Sequence, residues 1–195
     1  MKDIIYQVIR VILLAVFKLF LGIEVKGKEN IPAQGGAIIM SNHISALDPP
    51  LLAAIFPRPV RFMAKKELFD NILLRFVLFL AGSFPVDRGK VDISAVKNAL
   101  QVIKDDQILG IFPEGTRRPE GKPGLPKAGS VMLAIKSKSP ILPVGIKNIN
   151  RAGRVTVSIG QPFTMEEFTD HKLTSAEKKA AAKYIKDKIV AQINL

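Results

Sequence analysis

Apolar and polar positions alternate along this chain with two different periods. Residues 1–21, MKDIIYQVIRVILLAVFKLFL, are apolar but regularly interrupted. At 100° per residue, Asp3, Gln7, Arg10 and Lys18 share one narrow stripe, into which Leu14 intrudes. Ile4, Ile5, Val8, Ile9, Val11, Ile12, Val16, Leu19 and Phe20 fill the rest of the circumference. That apolar surface is wider than a globular core needs. It predicts an amphipathic helix lying in a membrane interface, with Arg10 and Lys18 towards the phosphates. A buried helix capping the domain has the same periodicity. Only seven residues separate Arg10 from Lys18, too few for a spanning helix, which takes about 20 apolar residues. A cleaved signal peptide would need a longer apolar region and a small-residue cleavage site. A second apolar run, residues 68–81 (LFDNILLRFVLFLA), is broken by Asp70, Asn71 and Arg75. It fits either a continuation of one membrane-facing surface or a core helix.

Beyond the first helix, strand-like runs alternate with helix-like stretches. Strands are predicted at 36–41 (GAIIMS), 60–64 (VRFMA), 83–86, 108–112 (ILGIF), 141–146 (ILPVGI) and 155–159 (VTVSI). The last alternates, which predicts an edge position or a partly exposed face. Helices are predicted from Asp48 through Ile55, with Asp48 as N-cap and proline in the first turn, then from residue 68 to near Gly82. Two more are expected at 91–104, with Ile93, Val96, Leu100 and Ile103 apolar, and at 127–136. Thr174-Ser175-Ala176-Glu177 is a capping box, and Ala181, Ile185, Ile189 and Ile193 follow every four residues, marking a final helix. Its lysine-rich opposite face reads as solvated. The alternation predicts an α/β fold: a single domain, residues 22–195, with a mainly parallel central sheet flanked by helices, plus the amino-terminal membrane-interfacial helix of residues 1–21. Ligands of such sheets gather at the carboxyl ends of the strands.

Composition narrows the chemistry. The 195 residues carry 29 basic and 17 acidic side chains, a net charge of +12, which favours an acidic partner. There is no Cys, so disulfide scaffolds, cysteine zinc sites and thiol nucleophiles are excluded. A mean hydropathy of +0.21 excludes intrinsic disorder. Two Tyr (Tyr6 and Tyr184) accompany 11 Phe, most of which sit in apolar runs. That is poor material for stacking bases, so nucleic acid is not the expected partner.

The chemistry-bearing residues follow strands. His43 enters a polar loop after a buried strand, in Ser41-Asn42-His43-Ile44-Ser45-Ala46-Leu47-Asp48. A loop of that length can fold back so that the Asp48 carboxylate takes a proton from one ring nitrogen, leaving the other basic and oriented as a general base. The same residues also fit a helix cap and a plain loop histidine. The other histidine, His171, lies in a polar, loop-like stretch and reads as a surface residue. Phe112-Pro113-Glu114-Gly115-Thr116-Arg117-Arg118 is a turn after another strand. Its amides can face an anion and Arg117 can grip phosphate oxygens, while Glu114 can orient the arginines or bind a hydroxyl. An ordinary turn with solvated arginines is the alternative. Gly82-Ser83-Phe84-Pro85-Val86-Asp87-Arg88-Gly89 delivers Arg88 to a strand end, where a plain exposed arginine is again the alternative. Pro140-Ile141-Leu142-Pro143-Val144 reads as structural.

NHISALD, GSFPVDR, FPEGTRR and PILPV stand in the order of the four motifs of the glycerolipid acyltransferases, over residues 42–144. The chain resembles that family, most of all its bacterial branch acting on 1-acylglycerol 3-phosphate. The resemblance implies acyl transfer from a thioester, on acyl carrier protein or coenzyme A, to the sn-2 hydroxyl of lysophosphatidic acid, giving phosphatidic acid. Glycerol 3-phosphate, another lysophospholipid or an aminoacyl lipid are alternative acceptors. By motif position His43 is the base and Asp48 its partner. Arg88 and Arg117 bind the acceptor phosphate, Glu114, Gly115 and Thr116 shape that site, and Lys65, in Ala64-Lys65-Lys66-Glu67, serves acceptor or donor binding. Arg118 stands where small residues often follow the motif. No metal or other cofactor is expected. Direct transfer in a ternary complex is expected, with Ser45 or Ser130 as the acyl-enzyme alternatives. The implied location is the cytoplasmic face of the cell membrane, with the protein held monotopically on anionic lipid.

Overall fold

The computed structural model describes residues 2–87, 92–118, 123–149, 153–168 and 173–195. Among these, seven strands form one sheet: β1 (Glu24–Lys26), β2 (Ala37–Ser41), β3 (Val60–Lys65), β4 (Phe84–Val86), β5 (Ile108–Ile111), β6 (Ile141–Lys147) and β7 (Thr156–Ile159), in the spatial order β1-β7-β6-β2-β5-β3-β4. The six helices are α1 (Lys2–Leu21), α2 (Asp48–Ile55), α3 (Ile72–Leu80), α4 (Ile93–Lys104), α5 (Ala128–Ser137) and α6 (Ser175–Ile193). β6, β2, β5, β3 and β4 pair in parallel, β7 runs antiparallel to β6, and β1 is parallel to β7. The mainly parallel sheet flanked by helices therefore matches the sequence expectation.

Along β2 successive side chains enter opposite layers, as strand geometry requires. Ala37 and Ile39 join the core beneath α1 and α2, with Phe17, Leu51, Leu52 and Phe56. Ile38 and Met40 join the core beneath α4, α5 and α6, with Ala99, Val131, Ala181, Ile185 and Ile189. The inner strands β2, β5 and β6 are buried on both faces, hence their unbroken apolar runs.

Four sequence expectations are corrected. β7 is not an edge: β1 covers it, so Val157, Ser158 and Ile159 are buried, and the Ser158 hydroxyl that made the pattern alternate donates to Gln192 Oε1 at 3.0 Å. β1 itself, Glu-Val-Lys, is too short and polar to stand out as a strand. Asp48 does not cap α2; it is the first helical residue, and its side chain points back into the preceding loop.

The third correction concerns the orientation of α1. Gln7 and Arg10 of its polar stripe face the domain. Tyr6 Oη donates to the Ala53 carbonyl at 3.1 Å, Gln7 Nε2 to the Pro57 carbonyl at 2.8 Å, and Arg10 Nε to Gln7 Oε1 at 2.8 Å, beside the Ala54 carbonyl. The last carbonyls of α2 lack partners of their own, and a cation at a helix carboxyl end is favoured. Burial of the Tyr6 hydroxyl pushes its pKa up. With Phe17 buried on the same side, the opposite arc, including Ile4, Val8, Ile12, Leu19 and Phe20, lies on the outside, with Leu19 79% and Phe20 75% exposed. Lys18 is exposed as well. No helix among the described residues is long and apolar enough to cross a membrane.

The second apolar run is shorter than expected. Residues Lys66–Phe69 form a 3₁₀ turn and the helix starts at Ile72, where Asn71 Oδ1 accepts from the N–H groups of Leu73 and Leu74 (both 3.0 Å). It is not a core helix: Ile72 to Val77 are exposed.

Candidate active site

The carboxyl ends of β2 and β5 lie side by side, since Met40 pairs with Ile111. Beyond Ser41 the ladder is continued by a side chain. Asn42 Nδ2 donates to the Ile146 carbonyl at 2.9 Å and its Oδ1 accepts the Ile146 N–H at 2.8 Å. This pairing, buried, frees the main chain of β2 to turn and places His43 at the rim of the sheet.

His43 Nδ1 lies 2.7 Å from Asp48 Oδ2. The same oxygen accepts the main-chain N–H groups of Ile44 at 2.7 Å and Ser45 at 2.8 Å. A carboxylate oxygen accepts, so Nδ1 carries a hydrogen, and in the neutral ring it is Nε2 that holds the lone pair. The Asp48 side chain is wholly buried and that of His43 is 9% exposed, which holds the pair in a fixed arrangement out of bulk water. Phe112, at the end of β5, lies on the imidazole with ring centroids 4.1 Å apart and 21° between planes. Phe62 of β3 stacks on Phe112 in turn at 5.9 Å and 10°. Gly110 lies under this column because a Cβ there would run into the Phe62 ring.

The turn after β5 completes the near side. Gly115 has φ +70°, and its N–H donates to the Phe112 carbonyl at 3.0 Å. A side chain at that position would be strained by the left-handed backbone and would press on Lys127 Cε at 2.8 Å. Glu114 is buried in the turn: Oε2 accepts Arg118 Nε at 2.9 Å and the Gly124 N–H at 3.1 Å. Its other oxygen, Oε1, is buried without a hydrogen-bond partner among the described residues. Arg118 N–H donates to the His43 carbonyl at 2.7 Å, tying the two loops together. Arg118, where small residues often stand, is thus engaged through its side chain and its main chain.

Thr116 and Arg117 are exposed at the tip of this turn. Lys65, the last residue of β3, is exposed and pairs with Glu67 at 3.4 Å. Val86 of β4 is paired with Lys65; Arg88 lies outside the described residues, as does His171. Asp87 is held from two sides. Lys66 Nζ donates to its Oδ2 at 2.7 Å, which pushes the Lys66 pKa up, and Asp92 Oδ2 accepts its N–H at 3.0 Å. Ser130 Oγ donates to the Pro113 carbonyl at 3.4 Å and Ser45 Oγ accepts the Leu47 N–H at 3.2 Å; neither hydroxyl is hydrogen-bonded to His43. No group of His, Asp or Glu among the described residues is arranged to hold a metal ion.

A family model described as Acyltransferase matches residues 22–147, a span that holds His43, Asp48 and the Glu114 turn. The chain belongs to the acyltransferase family. It is 35% identical over 167 residues to a 1-acyl-sn-glycerol-3-phosphate acyltransferase of Bacillus subtilis, covering 82% of each chain. To the enzyme of the same name from Borreliella burgdorferi it is 38% identical over 130 residues, which cover 66% of this chain and 52% of that one. The crystal structure of the 1-acyl-sn-glycerophosphate (LPA) acyltransferase PlsC from Thermotoga maritima superposes with a TM-score of 0.77 at 25% identity, covering 99% of this chain and 80% of that chain.

Asn42, Phe112 and Asp92 take part in this acyltransferase site or its frame without having been assigned a role from sequence. Asn42 and Phe112 sit inside quoted motifs, but their partners are 104 residues away in Ile146 and 69 residues away in His43. Asp92 alone carried a local signal, an Asp placed to cap α4, where Oδ1 accepts the Ala95 N–H at 3.0 Å.

Proposed function

We propose that this acyltransferase moves an acyl group from a thioester, on acyl carrier protein or coenzyme A, to the sn-2 hydroxyl of 1-acylglycerol 3-phosphate, giving phosphatidic acid. The observation that carries the reading is the buried 2.7 Å contact of His43 Nδ1 with Asp48 Oδ2, which leaves Nε2 as an oriented base at the rim of the sheet. The names of the relatives support the choice of acceptor.

A thioester is already activated, so the protein has to supply a nucleophilic alcohol, a held acceptor and hydrogen bonds to the developing oxyanion. His43 Nε2 removes the hydroxyl proton as the oxygen attacks the thioester carbonyl. The C–S bond then breaks, and the departing sulfur takes that proton from the imidazolium. The Asp48 carboxylate stabilises the imidazolium and keeps the ring in its tautomer. Glu114 Oε1 accepts a hydrogen bond from the acceptor, Arg117 and Arg88 bind its phosphate, and Gly115, Thr116 and Lys65 line the approach. The transfer is direct in this reading, which is supported by the Ser130 hydroxyl donating to the Pro113 carbonyl and the Ser45 hydroxyl accepting the Leu47 N–H.

The acceptor is an amphiphile, which places the reaction at a lipid surface. The outward aliphatic arc of α1 rests in the interface of an anionic membrane, with Lys18 at its margin, on the cytoplasmic face where the acyl donors are made available. The testing experiment incubates the purified protein with labelled acyl-carrier-protein and coenzyme A thioesters and a panel of lysolipids and glycerol 3-phosphate, with products identified by mass. Phosphatidic acid as the principal product supports the reading. A product from another acceptor reassigns the substrate, and no acyl transfer to any of them overturns it.

A further inference from the structure

The helix α3 is anomalous by the ordinary rules of folding. Its nine residues, Ile-Leu-Leu-Arg-Phe-Val-Leu-Phe-Leu, are apolar all round except for Arg75. Such a helix is normally buried on every side. Here Ile72 is 75%, Leu73 70% and Phe76 60% exposed, with Leu74 and Val77 exposed beside them and Leu68 exposed in the preceding turn. A helix of this length is marginal in water by itself. Local devices hold it: Asn71 at its start, and Gly82 in the left-handed conformation at its end, with Ser83 N–H bonded to the Leu78 carbonyl at 2.8 Å. A well-terminated apolar helix that projects from the domain is an element with an apolar medium outside the protein.

Topology says where it projects. α3 follows β3 and precedes β4, whose first residue Phe84 is level with Met63, so it stands at the carboxyl end of the sheet, the end that carries His43. The steps from β2 to β3 and from β3 to β4 go in the same direction across the sheet. Parallel crossovers are right-handed, so both connections lie on one face. That is the face covered by α2 and, outside it, by α1 with its exposed aliphatic arc.

We propose that α3 is a second bilayer-contacting element, inserted beside the mouth of the active site into the same anionic leaflet that α1 rests on. The inference deepens the lipid-acceptor reading and rests on it. Leu73, Phe76 and Ile72 enter the boundary between headgroups and acyl chains, while Arg75 extends its charge back to the phosphates. Lys65 and Lys66 beside the helix are ion-paired with Glu67 and Asp87, and it is the chain as a whole, at +12, that suits an anionic lipid surface. A protein partner is the poorer fit, because nine residues are far fewer than the roughly 20–30 a side of a stable protein interface. Two contact points, α1 across the outer layer and α3 at the rim, hold the site against the lipid, so that a lysolipid reaches His43 without leaving the leaflet completely.

The protein has no Trp, so Phe76→Trp introduces a single fluorescent reporter at an exposed position. With vesicles of equimolar phosphatidylcholine and phosphatidylglycerol, its emission is expected to shift to the blue and to be quenched by lipids brominated in their acyl chains. The double variant Leu73→Gln, Phe76→Gln is expected to bind these vesicles at least about tenfold more weakly, because two apolar side chains no longer gain from burial among the acyl chains. Its turnover of a vesicle-embedded acceptor should fall by about the same factor at limiting lipid. Its turnover of the same acceptor in detergent micelles should stay at the wild-type rate. Emission that stays unshifted when the protein is saturated with vesicles overturns the proposal. So does a shift produced by acyl carrier protein alone, or by raising the protein concentration without lipid. If the acyl-transfer reading is what fails, the wild-type turns over no acceptor in either form while the fluorescence still decides α3.

Discussion

The main-chain N–H of Arg118 donates to the carbonyl oxygen of His43 across 2.7 Å. This bond joins the loop after β2 to the turn after β5, and with it a buried carboxylate to a buried imidazole: Glu114, paired with the Arg118 side chain, and His43, paired with Asp48. The two buried pairs are therefore carried on two neighbouring strand ends tied to each other. His43 is both packed, against Phe112, and held in orientation by Asp48.

On the proposed mechanism His43→Ala is expected to lower turnover by about 10² to 10⁴ and also to lower the melting temperature somewhat, because it empties a buried position stacked on Phe112. Asp48→Ala should lower the melting temperature further, since the carboxylate also accepts the Ile44 and Ser45 N–H groups in a buried loop. Steady-state kinetics beside thermal melts by circular dichroism separate the two. A fully active His43 variant would remove the base from the mechanism.

The stack of Phe112 on the imidazole leads to a second expectation. Phe112→Leu retains apolar bulk but loses the flat face on which the ring rests. An aromatic pair is worth about 0.5–1.5 kcal/mol beyond its area, so kcat is expected to fall by up to about tenfold with the acceptor KM held. A rise in KM at constant kcat would show that Phe112 serves binding instead.

Arg117 is exposed at the tip of the turn, so its charge contributes little to folding. Arg117→Ala is expected to raise the acceptor KM without shifting the melting temperature, and Arg117→Lys to recover only part of the loss, because a single ammonium lacks the paired geometry of a guanidinium. An unchanged KM would place phosphate recognition elsewhere.

Asp92 makes stability depend on acid. The Asp87 N–H above all, then the Ser94 hydroxyl and the Ala95 N–H, hold its carboxyl down at about 2 instead of the ordinary 3.8. A depressed folded-state value means that the stabilisation is complete above about pH 3.8 and is lost as the pH falls through about 2. The start of α4 and the Asp87 anchor are therefore expected to loosen in that window. Amide exchange at Ala95 and Asp87 in the wild type and in Asp92→Asn measures this, and an identical acid response in both would assign the transition to another group.

Much of the frame was legible before folding because it rests on local periodicity. Ala37-Ile38-Ile39-Met40 is apolar without a break because β2 is covered on both faces, and the Thr174–Glu177 capping box marks the start of α6 within four residues. His43 and Asp48 were legible as a pair because five positions separate them and a short loop keeps such residues close. Phe112 was not, since its contact with His43 depends on β2 and β5 being neighbours, and the stretch from 42 to 112 contains nothing that dictates the pairing. Nor did Asn42 reveal that it completes a strand ladder with Ile146.

The chain's own pattern thus determined which segments form strands and helices, where polar loops leave the sheet, and that α1 has a polar stripe and a wide apolar arc. Tertiary structure decided which way those surfaces point. Periodicity defines faces relative to one another, but a helix turns its polar side inwards only when partners wait there, as the end carbonyls of α2 do for Tyr6 and Arg10 and the Pro57 carbonyl does for Gln7. The exposure of α3 was decided in the same way, by the lack of a described neighbour over Ile72 to Val77. Strand partners, ring stacks and helix orientation depend on residues far apart in the chain, and only the folded molecule brings them together.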